Sequence, residues 1–346
     1  MENLYLQEDL EFIADSINLE DLNNKNILIT GATGLVGSRI VFALLKYNEI
    51  HNTNISVIAF IRDEKKAKEI YGELYSNKNL MFLKGDIRKD IRYEYNIDYI
   101  IHCAAVTASK NMIEKPVETI EISIFGTYNV LKLAVEKKVK SFVYVSSMEM
   151  YGSFKDEVNV TESKIGYIDP LNVRSNYPES KRMCENMCIA YCTEYGVPIK
   201  IARLAQVFGA GILKGENRVF AQFARSVING ENIVLHTNGL SEGNYCYLAD
   251  AIIAIFIIMI RGKNKEAYNV VNEESHTTIY EMAKMVAKEI AENKIKVIFD
   301  IPKSNIFGYA KDTKMKLRNK KLCELGWKPK YGLKESYIRM IEEMKV

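Results

Sequence analysis

Asn26-Ile27-Leu28-Ile29-Thr30-Gly31-Ala32-Thr33-Gly34-Leu35-Val36-Gly37-Ser38-Arg39-Ile40-Val41 is the stretch on which the fold turns. An apolar run of strand length enters a turn with glycines at 31, 34 and 37, and an apolar pattern of helical period starts at Leu35. The first glycine permits the tight turn, the second lets backbone approach a pyrophosphate, and the third lets the helix pack close on the strand. The helix N-terminus then offers unpaired N–H groups to the anion. Glycine-rich turns are common by themselves, and it is the strand before and the helix after that make this one a dinucleotide site. Gly31, Thr33, Gly34, Leu35, Val36 and Gly37 are its expected contacts.

The same alternation continues outward. Leu35, Val36, Ile40, Val41, Leu44 and Leu45 mark the first helix; a strand at 55–61, a helix at 63–75 and a strand at 80–83 follow. After a short turn at Asp86-Ile87-Arg88 come a strand at 99–103, a long helix at 117–137 and a strand at 141–145. Strands alternating with helices predict an α/β chain with a doubly wound parallel sheet, and near-continuous apolar strands such as Phe142-Val143-Tyr144-Val145 predict burial on both faces. The stretch 151–175 reads as a polar loop, 176–195 as a helix, and 199–202 as the strand that closes the sheet. Beyond Gln206 the pieces shorten, with helices at 219–229, 251–261, 279–292 and 334–344. The expected division is therefore an N-terminal helical extension over 1–24, a dinucleotide-binding domain over 25–205, and a smaller substrate-binding lobe over 206–346. Residues 1–7 look slightly like a tag remnant, yet Leu6, Leu10, Phe12, Ile13 and Ile17 continue an amphipathic helix that packs on the main domain.

A chain of 346 residues, 48% apolar and 26% charged, can bury a large core. Its net charge of +3 comes from scattered residues of both signs, which points away from nucleic-acid and membrane surfaces and toward small-molecule partners. The apolar run 251–260 is too short to span a bilayer and reads as a buried helix. Six cysteines without C-x-x-C spacing suit a reduced, cytoplasmic setting. Cys184, Cys188 and Cys192 share a helix face, but with no histidine nearby they read as core packing, and no metal site is expected.

Ligands of open parallel sheets sit at the carboxyl ends of the strands. At the end of the second strand stand Arg62, suited to a 2′-phosphate and so favouring NADP, and Asp63, which keeps NAD open. Tyr177 and Lys181 lie one helical turn apart on one face, where the lysine cation favours the phenolate and lowers the tyrosine pKa. Among 21 tyrosines, chance Y-x-x-x-K pairs are expected; this one follows the fifth strand, whose carboxyl end carries the hydroxyls of Ser146 and Ser147.

With these residues assembled, the chain resembles the extended short-chain dehydrogenase/reductase family, in particular its nucleotide-sugar epimerases, dehydratases and decarboxylases. The likeness rests on Gly31-Ala32-Thr33-Gly34-Leu35-Val36-Gly37, Gly85-Asp86-Ile87, His102-Cys103-Ala104-Ala105, Gly126-Thr127-Tyr128-Asn129, Ser146-Ser147-Met148-Glu149-Met150-Tyr151-Gly152, Tyr177-Pro178-Glu179-Ser180-Lys181 and Leu325-Gly326-Trp327-Lys328-Pro329. It implies a Rossmann-type sheet, a homodimer formed through the helices at 117–137 and 176–195, and a nucleotide-diphosphate sugar as substrate. It further implies that Tyr177 removes a proton from a sugar hydroxyl, usually at C4, while hydride passes to the nicotinamide. Lys181 would hold the nicotinamide ribose, Ser147 would steady the proton, and Asp86, Ile87, Ala104 and Ala105 would border the cofactor. Thr107, Ser147, Met148 and Gln206 would face the substrate.

Subfamily is read at the variable positions. In 4,6-dehydratases that resemble this chain an Asp-Glu pair follows the catalytic Ser/Thr; here Met148-Glu149 lacks the acid, which disfavours ordinary dehydration. Glu149, with the segment from Arg174 to Arg182, is similar to UDP-glucuronate decarboxylases, and it reads equally well as a structural carboxylate. Ser123 and Gln206 stand where the family usually has Asn, and Gly243 stands where it has the Arg that clamps the diphosphate. Arg218 or Arg225 would then meet that charge. Two other readings stay open: a net NADPH-dependent reductase of a keto-sugar or other carbonyl, and a non-catalytic dinucleotide-sensing protein.

Overall fold

The computed structural model describes residues 4–156, 158–213, 215–302 and 314–345. Residues 1–3 of the expected N-terminal helix, and 214, 303–313 and 346 of the expected C-terminal lobe, lie outside the described residues. The chain runs α1 (Leu4–Ser16), β1 (Asn26–Thr30), α2 (Leu35–His51), β2 (Ser56–Ile61), α3 (Glu64–Tyr71), β3 (Leu80–Lys84), β4 (Tyr99–His102), α4 (Ser109–Glu114), α5 (Pro116–Lys137), β5 (Ser141–Ser147), β6 (Val158–Val160), α6 (Asn176–Tyr195), β7 (Ile199–Leu204) and β8 (Gln206–Phe208). It continues through α7 (Val219–Asn229), β9 (Ile233–Leu235), β10 (Glu242–Tyr247), α8 (Leu248–Arg261), β11 (Glu266–Val270), β12 (Asn272–Thr278), α9 (Ile279–Met285), β13 (Val297–Phe299), β14 (Met315–Leu317), α10 (Lys320–Cys323) and α11 (Leu333–Met344).

Seven strands form the central sheet in the order β11-β7-β5-β4-β1-β2-β3, and every pairing is parallel. Side chains alternate along each strand. Ile27 and Ile29 of β1 therefore join the core under α1, α2 and α8, while Leu28 joins the opposite core under α5 and α6. Both faces are covered, which is why the strands read as continuous apolar runs. The strand order reverses between β1 and β4, whose last residues Thr30 and His102 lie side by side. That reversal opens the crevice in which such sheets bind ligands. Cys184, Cys188 and Cys192 face the second core beside Phe142 and Leu131.

Three expectations need correction. The strand at β7 does not close the sheet, because β11 pairs beyond it, Ala267 against Ile201. Glu-Ala-Tyr-Asn-Val is too polar to announce a strand, and it is pairing with β7 and packing on the core that bury Tyr268, Asn269 and Val270. The loop at 151–175 contains β6, which pairs in parallel with β14; strands of three residues are too short to show a period. The helix expected over 279–292 changes to a π turn at Val286–Ile290. In the C-terminal part, β8, β10 and β12 make a three-stranded sheet and β9 pairs with β13. Helix α1 is fixed to α11 by buried polar bonds: Arg339 Nη2 and Tyr247 Oη donate to the two oxygens of Asp9 at 2.8 and 2.5 Å.

Candidate active site

Gly31, with φ +64°, occupies the left-handed region, and a Cβ there would lie 2.8 Å from Ala104 N. A Cβ on Gly37 would lie 2.3 Å from Gly31 O, so helix α2 meets the turn with no room for a side chain. Gly34 caps α2 without any side-chain bond, which leaves the first N–H groups of the helix directed at the crevice beside half-buried Thr33, Leu35 and Val36. These are the features a dinucleotide pyrophosphate requires, and the turn fits one. At the end of β3 the Asp86 carboxylate accepts from Arg88 Nη2 at 2.7 Å, which holds it down at about 2. Ile87 is gripped by α5, since Asn129 Nδ2 donates to its carbonyl at 3.0 Å and the Cβ-free face of Gly126 rests on it. Ala104 N donates to Thr30 Oγ1 at 3.3 Å, and Ala105 follows half-buried. Arg62 extends from the end of β2 with its guanidinium largely exposed, 3.9 Å from Glu118, while Asp63 caps α3 by accepting from Lys66 N at 3.1 Å.

β5 and α6 bring Ser147, Tyr177 and Lys181 together beside this turn. Of the two serines at the end of β5, Ser146 is buried and donates to Glu185 at 2.6 Å, so Ser147 is the one that reaches Tyr177 as a hydrogen-bond partner. The expected lowering of the Tyr177 pKa is reversed. Burial drives the phenol up and Glu149 adds to the rise, against the opposing pulls of Ser147, Arg174 and Arg218. Lys181 Nζ is occupied elsewhere: it donates to Val145 O at 2.8 Å and lies 5.7 Å from the Tyr177 ring centroid. Its own pKa is lowered by burial.

Glu149 faces Tyr177 from the turn after β5 and accepts from Arg174 Nη2 at 2.9 and 3.3 Å. Arg174 is a residue the sequence reading left unassigned. It stands on the 3₁₀ turn Val173–Ser175 that feeds α6, so Arg174, Tyr177 and Lys181 share one stripe at i, i+3 and i+7, and that spacing is the signal that could have found it. Met148 is buried in an apolar cluster with Met150, Tyr151, Ala205 and Leu317, whereas Thr107 is exposed on the loop after β4. Gln206, half-buried, pairs with Tyr245 between β8 and β10.

Arg218 caps α7 and is gripped by Glu216, Nη2 to Oε2 at 2.6 Å and Nε to Oε1 at 3.0 Å. Arg225 closes on the same turn, donating to Glu216 O at 2.8 Å and Asn217 Oδ1 at 3.1 Å. Gly243 sits at a β-bulge on β10, and Tyr245 folds back over it, so a Cβ at 243 would lie 2.4 Å from the Tyr245 hydroxyl. With Tyr245 in this place, any side chain at 243 would meet its ring and hydroxyl first. Among the described residues, no three His, Cys, Asp or Glu residues are grouped to hold a metal ion, and no helix is long and apolar enough to cross a membrane.

Known proteins are similar to this chain over most of its length. UDP-glucuronic acid decarboxylase 1 of Danio rerio is 28% identical over 326 residues, covering 94% of this chain and 73% of that protein. The dTDP-D-glucose 4,6-dehydratase of Bos taurus is 26% identical over 344 residues, covering 95% and 91%. Among solved structures, UDP-glucose 4-epimerase of Thermotoga maritima with UDP-glucose superimposes with a TM-score of 0.77 at 25% identity, over 92% of this chain and 98% of that one. The model of the NAD dependent epimerase/dehydratase family matches residues 27–271, from the first strand through the last strand of the central sheet, and the chain belongs to that family.

Proposed function

We propose that this enzyme oxidises a nucleotide-diphosphate sugar transiently at C4 and that the keto-sugar so formed, before or after loss of carbon dioxide, takes the hydride back and leaves as an epimerised or decarboxylated product. The observation that carries the reading is the convergence of Ser147, Tyr177 and Lys181 on the mouth of the glycine turn. Gly31, Gly34, Gly37, Asp86, Ile87 and Ala104 would hold NAD, which would supply a hydride acceptor and, when oxidised, a positive charge that favours the phenolate. Tyr177 takes the hydroxyl proton, and Ser147 holds the sugar oxygen in line. Lys181, fixed by the Val145 carbonyl, would hold the nicotinamide ribose. Arg218 and Arg225 are the cations that would meet the diphosphate in place of a residue-243 side chain, through Arg218 Nη1 and Arg225 Nε, the nitrogens that Glu216 and Asn217 do not take.

Burial of Met148 speaks against dehydration, since no acid stands beside Glu149 to protonate a leaving hydroxyl. Glu149, held by Arg174, suits decarboxylation of UDP-glucuronate. Arg62, exposed at the end of β2, supports acceptance of NADP beside NAD. The six free cysteines suit a reducing cytoplasm, and residues 206–346 mainly shape the substrate side. Incubation with UDP-glucuronate, UDP-glucose, UDP-N-acetylglucosamine and dTDP-glucose, read by mass and NMR, tests the reaction. Loss of carbon dioxide or an inverted centre at unchanged mass is expected, and Tyr177→Phe lowers turnover at least about 100-fold. Full turnover by Tyr177→Phe, or stoichiometric consumption of NADPH, overturns the reading.

A further inference from the structure

We propose that Tyr144 is a positioning residue for the reaction: the face of its ring keeps the Lys181 ammonium charged and in place. The proposal rests on the reading of Lys181 as the residue that holds the nicotinamide ribose.

Lys181 is a buried cation. It reaches from α6 onto β5, where its Nζ donates to the Val145 carbonyl at 2.8 Å. An ammonium stripped of water is driven toward the neutral amine unless something opposes the loss of its charge. The hydrogen bond goes to a neutral acceptor, and the ionisable groups around it are uncharged or taken. From the end of β4 come His102, lowered by burial to about 3, and Cys103, pushed up by burial to about 12. From α6 come the thiols of Cys184 and Cys188 and the phenol of Tyr177, all raised by burial. Glu185, one turn beyond Lys181, already accepts from Arg203 at 2.7, 3.0 and 3.2 Å and from Ser146 at 2.6 Å.

Tyr144 supplies what these groups do not. Lys181 Nζ lies over its ring, 4.8 Å from the centroid, inside the roughly 6 Å over which an aromatic face attracts a cation. The Tyr177 ring is farther, at 5.7 Å. Tyr144 shares the face of β5 under α6 with Phe142 and Ser146, and it is locked in the second core beside Phe142, Cys184 and Cys188, its centroid 5.6 Å from that of His102. A carboxylate in this position would take N–H groups from the ammonium. The ring attracts the charge and takes none, so the donors that Val145 does not use stay available to ribose hydroxyls.

Calorimetric titration of the full-length, dinucleotide-free enzyme with NAD, from about pH 6 to about pH 10, tests this. Affinity in wild type is expected to fall at alkaline pH as Lys181 loses its proton. Tyr144→Leu should move that fall about one pH unit lower, whereas Tyr144→Phe, which keeps the ring, should leave it in place. A ring that only packed would alter the melting temperature of Tyr144→Leu and not the pH of the fall. An unmoved fall in Tyr144→Leu, or an equal move in Tyr144→Phe, overturns the proposal. Should Tyr144→Leu be unfolded, Tyr144→pentafluorophenylalanine decides, because it keeps the shape of the ring and strips negative charge from its face. Its fall should lie below that of Tyr144→Phe, and coincidence of the two overturns the proposal. The parent reading is judged by Lys181→Met, which should bind NAD more weakly and with no alkaline fall; a profile matching wild type overturns that reading instead.

Discussion

Tyr245 shows how one side chain can alter a site by filling it. Its ring lies across Gly243 and packs edge-on against Phe208, and its hydroxyl is buried with no hydrogen-bond partner among the described residues. A buried hydroxyl stripped of water and left unbonded costs about 1–3 kcal/mol. Tyr245→Phe removes that hydroxyl without changing the packed ring, so it should raise the unfolding free energy by about 1 kcal/mol in urea titration. A loss of stability would show that the hydroxyl has a partner after all. The glycine at 243 was legible as a departure, but its cause was not, because a bulge in β10 has to be formed before residue 245 can lie over residue 243. Arg174 was legible only as the start of the segment similar to UDP-glucuronate decarboxylases; its bond to Glu149 was not, since it precedes the helix whose period made Tyr177 and Lys181 conspicuous.

At the scale of elements, His102 joins four of them. Thr30 Oγ1 accepts from Ala104 N and so offers its proton to His102 Nδ1 at 2.6 Å; His102 Nε2 then donates to Thr127 at 3.1 Å, and Thr127 to Cys184 Sγ at 3.2 Å. The series ends where the Cys184 thiol donates to Ser123 O at 3.2 Å. The ends of β1 and β4 are thereby tied to α5 and α6 by a histidine that must stay neutral, and burial lowers its pKa to about 3. The unfolded chain takes up a proton near 6.5 that the native state refuses, so stability rises with pH between about 3 and 6.5 and is level above. Each pH unit below 6.5 costs at most about 1.4 kcal/mol through this group. Melting at pH 5 and pH 7 should show a smaller pH difference in His102→Gln than in wild type; an equal difference would assign the effect elsewhere. The central strands and long helices were legible because both faces of the sheet are covered and the apolar runs are long. The strands β6, β11 and β14 were not, since they are short or polar and are strands only by virtue of the neighbours they meet. The spacing of Tyr177 and Lys181 was legible too, whereas the competition of the Val145 carbonyl for the ammonium was a property of the assembled site.

For the molecule as a whole, α5 carries an uncovered apolar stripe on which Val117 and Phe125 are 66% and 51% exposed, with Ile120 and Tyr128 beside them. Met183 of α6 is 51% exposed as well. We propose that a second copy covers this surface, the usual outcome for an apolar patch shared by two packed helices. Phe125→Glu should convert a dimer to a monomer in sedimentation velocity; a monomeric wild type would refute the assignment. The bond from Arg339 to Asp9 bears on a different process. A ribosome delivers Asp9 long before it delivers Arg339, and until then the carboxylate of α1 lacks the guanidinium that donates to it. That ion pair therefore completes the seat of helix α1 only after residue 339 has been made, so an element made early is finished by one made late. In a chain stalled short of that residue Asp9 would keep the Tyr247 hydroxyl as its donor and lack the cation that balances its charge.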